Sequence, residues 1–218
     1  TGADDDVTAG ADQTGAVTED ATATTATGTI AGSDADDASS LAYTGDATGT
    51  YGAIAVVSGS GAWTYTLSNS DADTTALDAG DSVTDTFTMT VTDSASGETD
   101  TMAVTITITG ANDAPSAGSD GTGAVTEDAS TSTSTGSISA TDADDAAAFT
   151  YSGDATGTYG AIAVDSAGAW TYTLSNSDAD TTALDAGDSV TDTFTMTVSD
   201  GTASDTMDVV ITVTGADD

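Results

Sequence analysis

The octapeptide TGAVTEDA at Thr14–Ala21 returns at Thr122–Ala129, and this return constrains the fold more than any other feature of the chain. GDATGTYGAIAV at Gly45–Val56 recurs at Gly153–Val164, and TYTLSNSDADTTALDAGDSVTDTFTMTV recurs from Thr64 and from Thr171. The offset is 108 residues early and 107 later, because VSGSGAW at Val57–Trp63 faces the shorter DSAGAW at Asp165–Trp170. A period of that size is a whole domain with its own core rather than a small stacking repeat. The chain therefore divides into two repeats, residues 1–112 and 113–218. TGADD opens the sequence at Thr1–Asp5 and closes it at Thr214–Asp218, while TGAND stands between the copies at Thr109–Asp113. It reads as a segment cut from a longer periodic array at equivalent points. The single proline, Pro115, follows the middle junction and suits a stiff linker, since it cannot extend a preceding strand.

Within each copy the hydrophobic period is two. Val83, Asp85, Phe87, Met89 and Val91 alternate with Thr. Met102, Val104, Ile106 and Ile108 alternate with Ala103, Thr105 and Thr107. Trp63, Tyr65 and Leu67 alternate with Thr64 and Thr66. These are half-buried antiparallel strands with the β-branched Thr outward. Shorter runs near Val17, Ile30, Tyr43 and Ile54 bring the count to about seven strands per repeat, as in a sandwich. No window carries a helical stripe, although LDAGD at Leu77–Asp81 could form a short helical turn. The expected architecture is all-β: two tandem Ig-like Greek-key sandwiches, each with a core built on Trp63 or Trp170.

The chain has 37 acidic residues and no Lys, Arg or His. Nothing in it can neutralise a carboxylate, so self-repulsion opposes the compact state. The charge must be spread over a solvated surface, screened, or matched by bound cations. Only three acids are Glu: Glu19, Glu98 and Glu127. The predominant Asp favours turns and is a short, hard oxygen ligand suited to calcium. Nucleic acid and anionic membrane are poor partners, because both need basic contacts. Disorder, the usual reading of an acidic chain, is contradicted by the regular apolar alternation. With no Cys there is no disulfide, and any cross-link would have to be a metal. No segment reads as a signal peptide or is apolar for long enough to span a membrane, so the chain reads as a mature product or an excised segment.

Several acids recur together at turn positions. Glu19 and Glu127 share the motif TED. Asp34, Asp36 and Asp37 form DADD, matched by Asp142, Asp144 and Asp145. Asp93 ends a long strand, matched by Asp200. Asp78 and Asp81 lie in LDAGD, matched by Asp185 and Asp188, and Asn112 and Asp113 lie in the junction. One D-x-D is usually a solvated turn. Five recurring clusters in a chain without a cation point to metal, and no EF-hand loop is present. SNSDAD at Ser68–Asp73 and Ser175–Asp180 is either a further calcium loop or a plain Asx-rich turn.

The stretch GAWTYTLSNSDADTTALDAGDSVTDTFTMTVTD, followed by TITITGANDAP, resembles the VCBS repeat of giant bacterial surface proteins and RTX-type adhesins. The order VTEDA, SDADD or ATDADD, LDAG, TVTD or TVSD, then NDAP is similar to the calcium motifs of cadherin repeats. The resemblance implies a cadherin-like sandwich pair joined by a short calcium-binding linker. It also implies a middle-junction site with Glu19 and Asp78 from the first repeat, Asn112 and Asp113 from the linker, and Asp142, Asp144 and Asp200 from the second. Gly80 stands where the L-D-x-E motif has Glu, so either Asp81 substitutes or that ligand is lost. The linker is also one residue shorter than the cadherin pattern and lacks its leading Asp. Half-sites follow at both ends: Asp4, Asp5, Asp34, Asp36 and Asp93 at the first, and Glu127, Asp185, Asp217 and Asp218 at the second.

The functional expectation is an extracellular, calcium-stiffened extender or stalk segment of a repetitive adhesin or fibre, with neighbouring repeats or like chains as partners. A self-assembling filament subunit is the alternative. A glycan, ice or receptor-binding module is a further one, for which Tyr51 and Tyr159 in the GTYG turns are the candidate exposed aromatics. The outward Thr rows more simply fill solvated strand faces. An enzyme is not expected, since there is no His or Lys base, no Cys and no activated-Ser constellation, and the paired carboxylates that could in principle cleave a glycoside sit at repeat ends instead of in a cleft.

Overall fold

The alternating segments form strands because every second side chain is large and apolar and the intervening Thr tolerate an exposed pleated surface. A computed structural model describes residues 5–35, 41–144 and 148–217. The chain forms two compact units, Thr1–Asn112 and Asp113–Asp218.

Unit 1 contains β1 (Thr8–Ala9), β2 (Gln13–Thr18), β3 (Thr25–Thr29), β4 (Gly32–Ser33), β5 (Leu41–Thr44), β6 (Ala47–Thr48), β7 (Gly52–Val56) and β8 (Ala62–Leu67). The short helix α1 (Ala72–Thr75) follows, then β9 (Ser82–Asp93) and β10 (Thr99–Thr109). One four-stranded sheet runs β2-β10-β9-β5 and the other β3-β8-β7-β6, with β1 and β4 as a two-stranded pair. Discounting the two-residue strands leaves seven. Among the described residues every pairing in unit 1 is antiparallel except that of β2 with β10, the first and last strands of the sandwich, which run parallel from Val104↔Gln13 to Thr109↔Thr18.

Unit 2 repeats the plan with β11 (Ser116–Ala117), β12 (Gly121–Thr126), β13 (Thr133–Ser137), β14 (Ala140–Thr141), β15 (Thr150–Ser152), β16 (Ala155–Thr156), β17 (Gly160–Val164), β18 (Ala169–Leu174), β19 (Ser189–Ser199) and β20 (Ser204–Thr214). Its sheets are β12-β20-β19-β15, β13-β18-β17-β16 and β11-β14. Pro115, expected in a stiff linker after the junction, is buried at the start of this unit.

The inward parity of the strands supplies each core. Trp63, Tyr65, Phe87, Met89, Val91, Val104, Ile106 and Ile108 are all buried, as are Trp170, Tyr172, Phe194, Met196, Val198, Val209 and Ile211. Each large apolar side chain so buried contributes about 1.5–3 kcal/mol. Tyr65 and Phe87 meet at a ring-centroid distance of 5.9 Å and an angle of 51°, and Tyr172 with Phe194 at 5.8 Å and 51°.

The helical turn falls five residues earlier than LDAGD. In unit 1 it spans Ala72–Thr75, where the Asp71 side chain accepts the Asp73 N–H at 3.1 Å and caps it. Leu77–Asp81 is instead a turn closed by Asp81 N–H to the Asp78 carbonyl at 2.9 Å, with Gly80 at φ +100°. An aliphatic residue at that φ would be strained, so the turn takes glycine there. Among the described residues no helix is long and apolar enough to cross a membrane.

Candidate metal centre

Glu19 and Glu127 immediately follow β2 and β12. Their N–H groups continue the parallel ladder, bonding the carbonyls of Thr109 and Thr214 at 2.9 Å each. The next residues, Asp20 and Asp128, turn the chain at φ +52° and +53°. Asp is among the side chains that tolerate this left-handed region best. That sharp turn holds each glutamate against the end of the last strand. Glu19 Oε2 accepts the Ala111 N–H at 3.2 Å, and Glu127 Oε2 accepts the Ala216 N–H at 3.1 Å. Both residues are only 2 % exposed. Glu127 Oε1 is buried and has no hydrogen-bond partner within the protein. An ionised carboxylate buried in this way is costly unless a positive charge meets it, and the chain has no Lys, Arg or His to do so.

The D-x-D of unit 2 is assembled around the start of its own chain. The Asp113 N–H donates to Asp144 Oδ2 at 3.1 Å, and the Asp144 N–H donates to Asp142 Oδ1 at 3.2 Å. Asp144 is buried and Asp142 half-buried, with Asp142 Oδ2 buried and lacking a hydrogen-bond partner. The structure therefore brings Asp113, Asp142 and Asp144 together. In unit 1, Asp5 is exposed and Asp34 half-buried, while Asp4 and Asp36 lie outside the described residues, as do Asp37, Asp145 and Asp218.

Asp93 and Asp200 close the long hairpins. Asp93 accepts the Ala95 and Ser96 N–H groups at 3.0 and 2.9 Å; Asp200 Oδ1 accepts those of Thr202 and Ala203, both at 2.6 Å. Asp78 and Asn112 are half-buried, whereas Asp81, Asp185, Asp188 and Asp217 are exposed. Asp188 bends over its own turn to accept the Asp185 N–H at 3.1 Å. Among the described residues no three acidic side chains converge closely enough to enclose an ion. What fits calcium is the chemistry: an all-oxygen donor set, with buried carboxylate oxygens lacking donors.

In SNSDAD the side chains of Asp71 and Asp178 each accept the N–H two residues on, at 3.1 and 3.0 Å, which is the geometry of a plain Asx turn.

The most elaborate carboxylates are ones that the cluster reading passed over. Asp85 is 4 % exposed on the inward face of β9. It accepts the Thr50 N–H at 2.9 Å, the Tyr51 N–H at 3.2 Å and the Tyr65 hydroxyl at 2.8 Å. Asp192 does the same with Thr158, Tyr159 and Tyr172 at 2.9, 3.0 and 2.9 Å. A β-carbon on Gly49 would lie 2.4 Å from the Asp85 carboxylate, so the GTYG turn can close over the acid only with glycine there. Burial, and then the bond to aspartate, raises the Tyr65 and Tyr172 hydroxyls well above the usual tyrosine range. The visible signal was an Asp at inward parity in an apolar strand. Tyr51 and Tyr159 are accordingly half-buried at the core edge, not exposed loop aromatics. At the opposite hairpin ends, N–H donation from Ala9 and then Thr101 lowers the Asp100 pKa, and donation from Ala117 and then Thr206 lowers that of Asp205.

The chain belongs to the bacterial cadherin-like domain family, whose model matches residues 4–110 and 112–215. Among solved structures it is similar to mouse cadherin-23 EC22-24, at 20 % identity and a TM-score of 0.59, covering 96 % of this chain and 67 % of that one. It is similar to mouse clustered PcdhgC3 EC1-3 at 18 % identity and a TM-score of 0.56, covering 98 % and 69 %. Human protocadherin-24 EC1-2 matches at 16 % identity and a TM-score of 0.54, covering 94 % and 95 %. At these identities the likeness is one of fold. No curated protein matches the sequence.

Proposed function

We propose that this chain is a calcium-stiffened extracellular extender segment, a stalk module of a repetitive bacterial surface adhesin of the VCBS and RTX type. The observation that carries the reading is Glu127: a buried carboxylate oxygen without a donor, in a protein with no Lys, Arg or His. Its equivalent, Glu19, binds the backbone of the segment leading out of unit 1. A calcium ion would supply the missing positive charge and draw on further oxygens from Asp78 or Asp81, Asn112, Asp113, Asp142, Asp144 and Asp200 at the middle junction, and on Asp185 beside Glu127. Without the ion, clustered carboxylates repel and the junction flexes; with it, the angle between successive repeats is fixed. The role is mechanical spacing, not catalysis.

Because the ion binds only the folded state, it stabilises by about 2.7 kcal/mol at one hundred times its dissociation constant. The expected result is a higher melting temperature in millimolar calcium than in EDTA. Glu19→Gln and Glu127→Gln each remove part of that gain. X-ray scattering is expected to give a fixed maximum dimension in calcium and a broader distribution in EDTA. Identical melting and scattering in both conditions would sink the proposal, and growth to large particles in calcium would favour a filament subunit instead.

A further inference from the structure

Away from the acidic strand ends, unit 2 holds a cavity of about 340 Å³, at the small end of the range for ligand sites. Thr158 and Tyr159 line it from the GTYG turn, Thr173 and Leu174 from the end of β18, and Ser175 and Asp178 from the loop that follows. The tyrosine is held on a stiff frame. Its N–H donates to Asp192 Oδ2 at 3.0 Å, and its carbonyl accepts the Ser175 N–H at 2.9 Å and the Thr181 hydroxyl at 3.5 Å. Asp192, itself 4 % exposed, is anchored by the Tyr172 hydroxyl at 2.9 Å. A β-carbon on Gly157 would come within 2.7 Å of that carboxylate, so the turn sits as close to it as a backbone can. The metal reading makes no use of this arrangement.

We propose that the cavity binds a neutral sugar residue, with its apolar C–H face against Tyr159 and its hydroxyls bonded to Thr158, Ser175 and Asp178. A half-buried tyrosine lining a cavity with a hydroxyl and carboxylate rim matches a pyranose, which is apolar on its face and polar at its edge. Charge narrows the class further. The chain has no Lys, Arg or His to hold an acidic sugar, and a net charge of −37 repels one. The Asp178 carboxylate already accepts the Asp180 N–H at 3.0 Å, which suits a second bond to a hydroxyl better than full pairing with a cation. Thr50, Tyr51, Thr66, Leu67, Ser68 and Asp71 repeat the same residues in unit 1, where Asp85 clamps Tyr51 as Asp192 clamps Tyr159. The proposal therefore includes two equivalent sites and is independent of calcium at the strand ends.

The test is amide-shift mapping of the full chain in millimolar calcium, titrated with maltohexaose, with laminarihexaose and with anionic trigalacturonate. A neutral oligosaccharide is expected to move Thr158–Gly160 and Ser175–Asp178, together with their unit 1 equivalents. Tyr159→Ala is expected to weaken binding about tenfold at the unit 2 site, leaving the unit 1 site as an internal control. Asp178→Asn, which keeps the turn acceptor, separates loss of the sugar bond from loss of folding and is expected to weaken the same site with all other amides unmoved. No response to either neutral sugar overturns the proposal. So does an equal response to trigalacturonate, a response that survives Tyr159→Ala in the folded chain, or concentration-dependent shifts without sugar, which would mark a face between copies.

Discussion

The two buried tryptophans occupy equivalent places and meet different neighbours. In unit 1 the Trp63 Nε1–H donates to Gln13 Oε1 at 2.8 Å, and the Gln13 amide in turn donates to the Thr29 carbonyl. In unit 2 the same register position, opposite Val209 on β20, is Gly121, and the Trp170 Nε1–H is buried without a partner. The aspartate clamp behaves in the opposite way. Asp85 and Asp192 bond the same three donors in both units, with lengths within 0.2 Å of one another. The contrast follows from what each loss would strand. Losing the glutamine orphans one donor, whereas losing the aspartate orphans two backbone N–H groups and a hydroxyl, and each buried orphan costs about 1–3 kcal/mol.

The largest expected effect comes from attacking the shared feature. Asp85→Ala and Asp192→Ala should each destabilise their own unit by roughly 3 kcal/mol or more, to the same extent in both. Calorimetry resolving the two transitions checks this, and a large loss in one unit only would break the equivalence. Next comes the exchange of the feature that differs. Gln13→Gly should cost unit 1 about 1–3 kcal/mol. Gly121→Gln should raise the melting temperature of unit 2, each kcal/mol being worth about 4–8 °C in a domain near this size. A Cβ at Gly121 meets Val209 Cγ2 at 3.1 Å and Trp170 Nε1 at 3.2 Å, so a small shift of the indole accompanies the gain. Unfolding of the Gly121→Gln protein at an unchanged temperature would show that the unpaired indole costs nothing.

The pH effects are smaller. Tyr65 and Tyr172 have folded pKa values raised above the ordinary 10.0 by burial and then by aspartate. Their contribution is whole below pH 10 and is lost as pH rises beyond it. Both units should therefore melt earlier in alkali, and Tyr65→Phe or Tyr172→Phe should flatten that fall in one unit alone. Smallest is the contribution of Asp100 and Asp205, whose pKa values are lowered by backbone N–H groups. It is present above the ordinary carboxylate range and disappears as pH falls toward the folded value. Asp100→Asn and Asp205→Asn should each slightly reduce the acid sensitivity of the melting temperature.

Sandwich and core were legible because burial in a strand leaves a period-two imprint, visible at Phe87, Met89, Val91 and again at Met102–Ile108. Glu19 and Glu127 stood out because a longer acid was twice retained at one position in an Asp-rich chain. The aspartate clamp was hidden because two of its three donors in unit 1 are main-chain groups, which lie 34 and 35 residues away in sequence and carry no residue signature. The helical turn escaped because it is a single capped turn with one fully buried side chain, Thr74, too short to show a periodic face. The D-x-D of unit 1 could be named from the sequence, but Asp36 lies outside the described residues.

The parallel pairing of β2 with β10 has a mechanical consequence. A pull on the two ends of unit 1 draws the start of β2 and the end of β10 in opposite directions along their common axis. The ladder between Gln13–Thr18 and Val104–Thr109 is then loaded in shear, so its hydrogen bonds must fail together instead of peeling one by one. The same holds for Gly121–Thr126 against Val209–Thr214. Each unit thus resists tension through the first and last strands of its sandwich, and its lifetime under load is set by the rate of that rupture and not by its equilibrium stability.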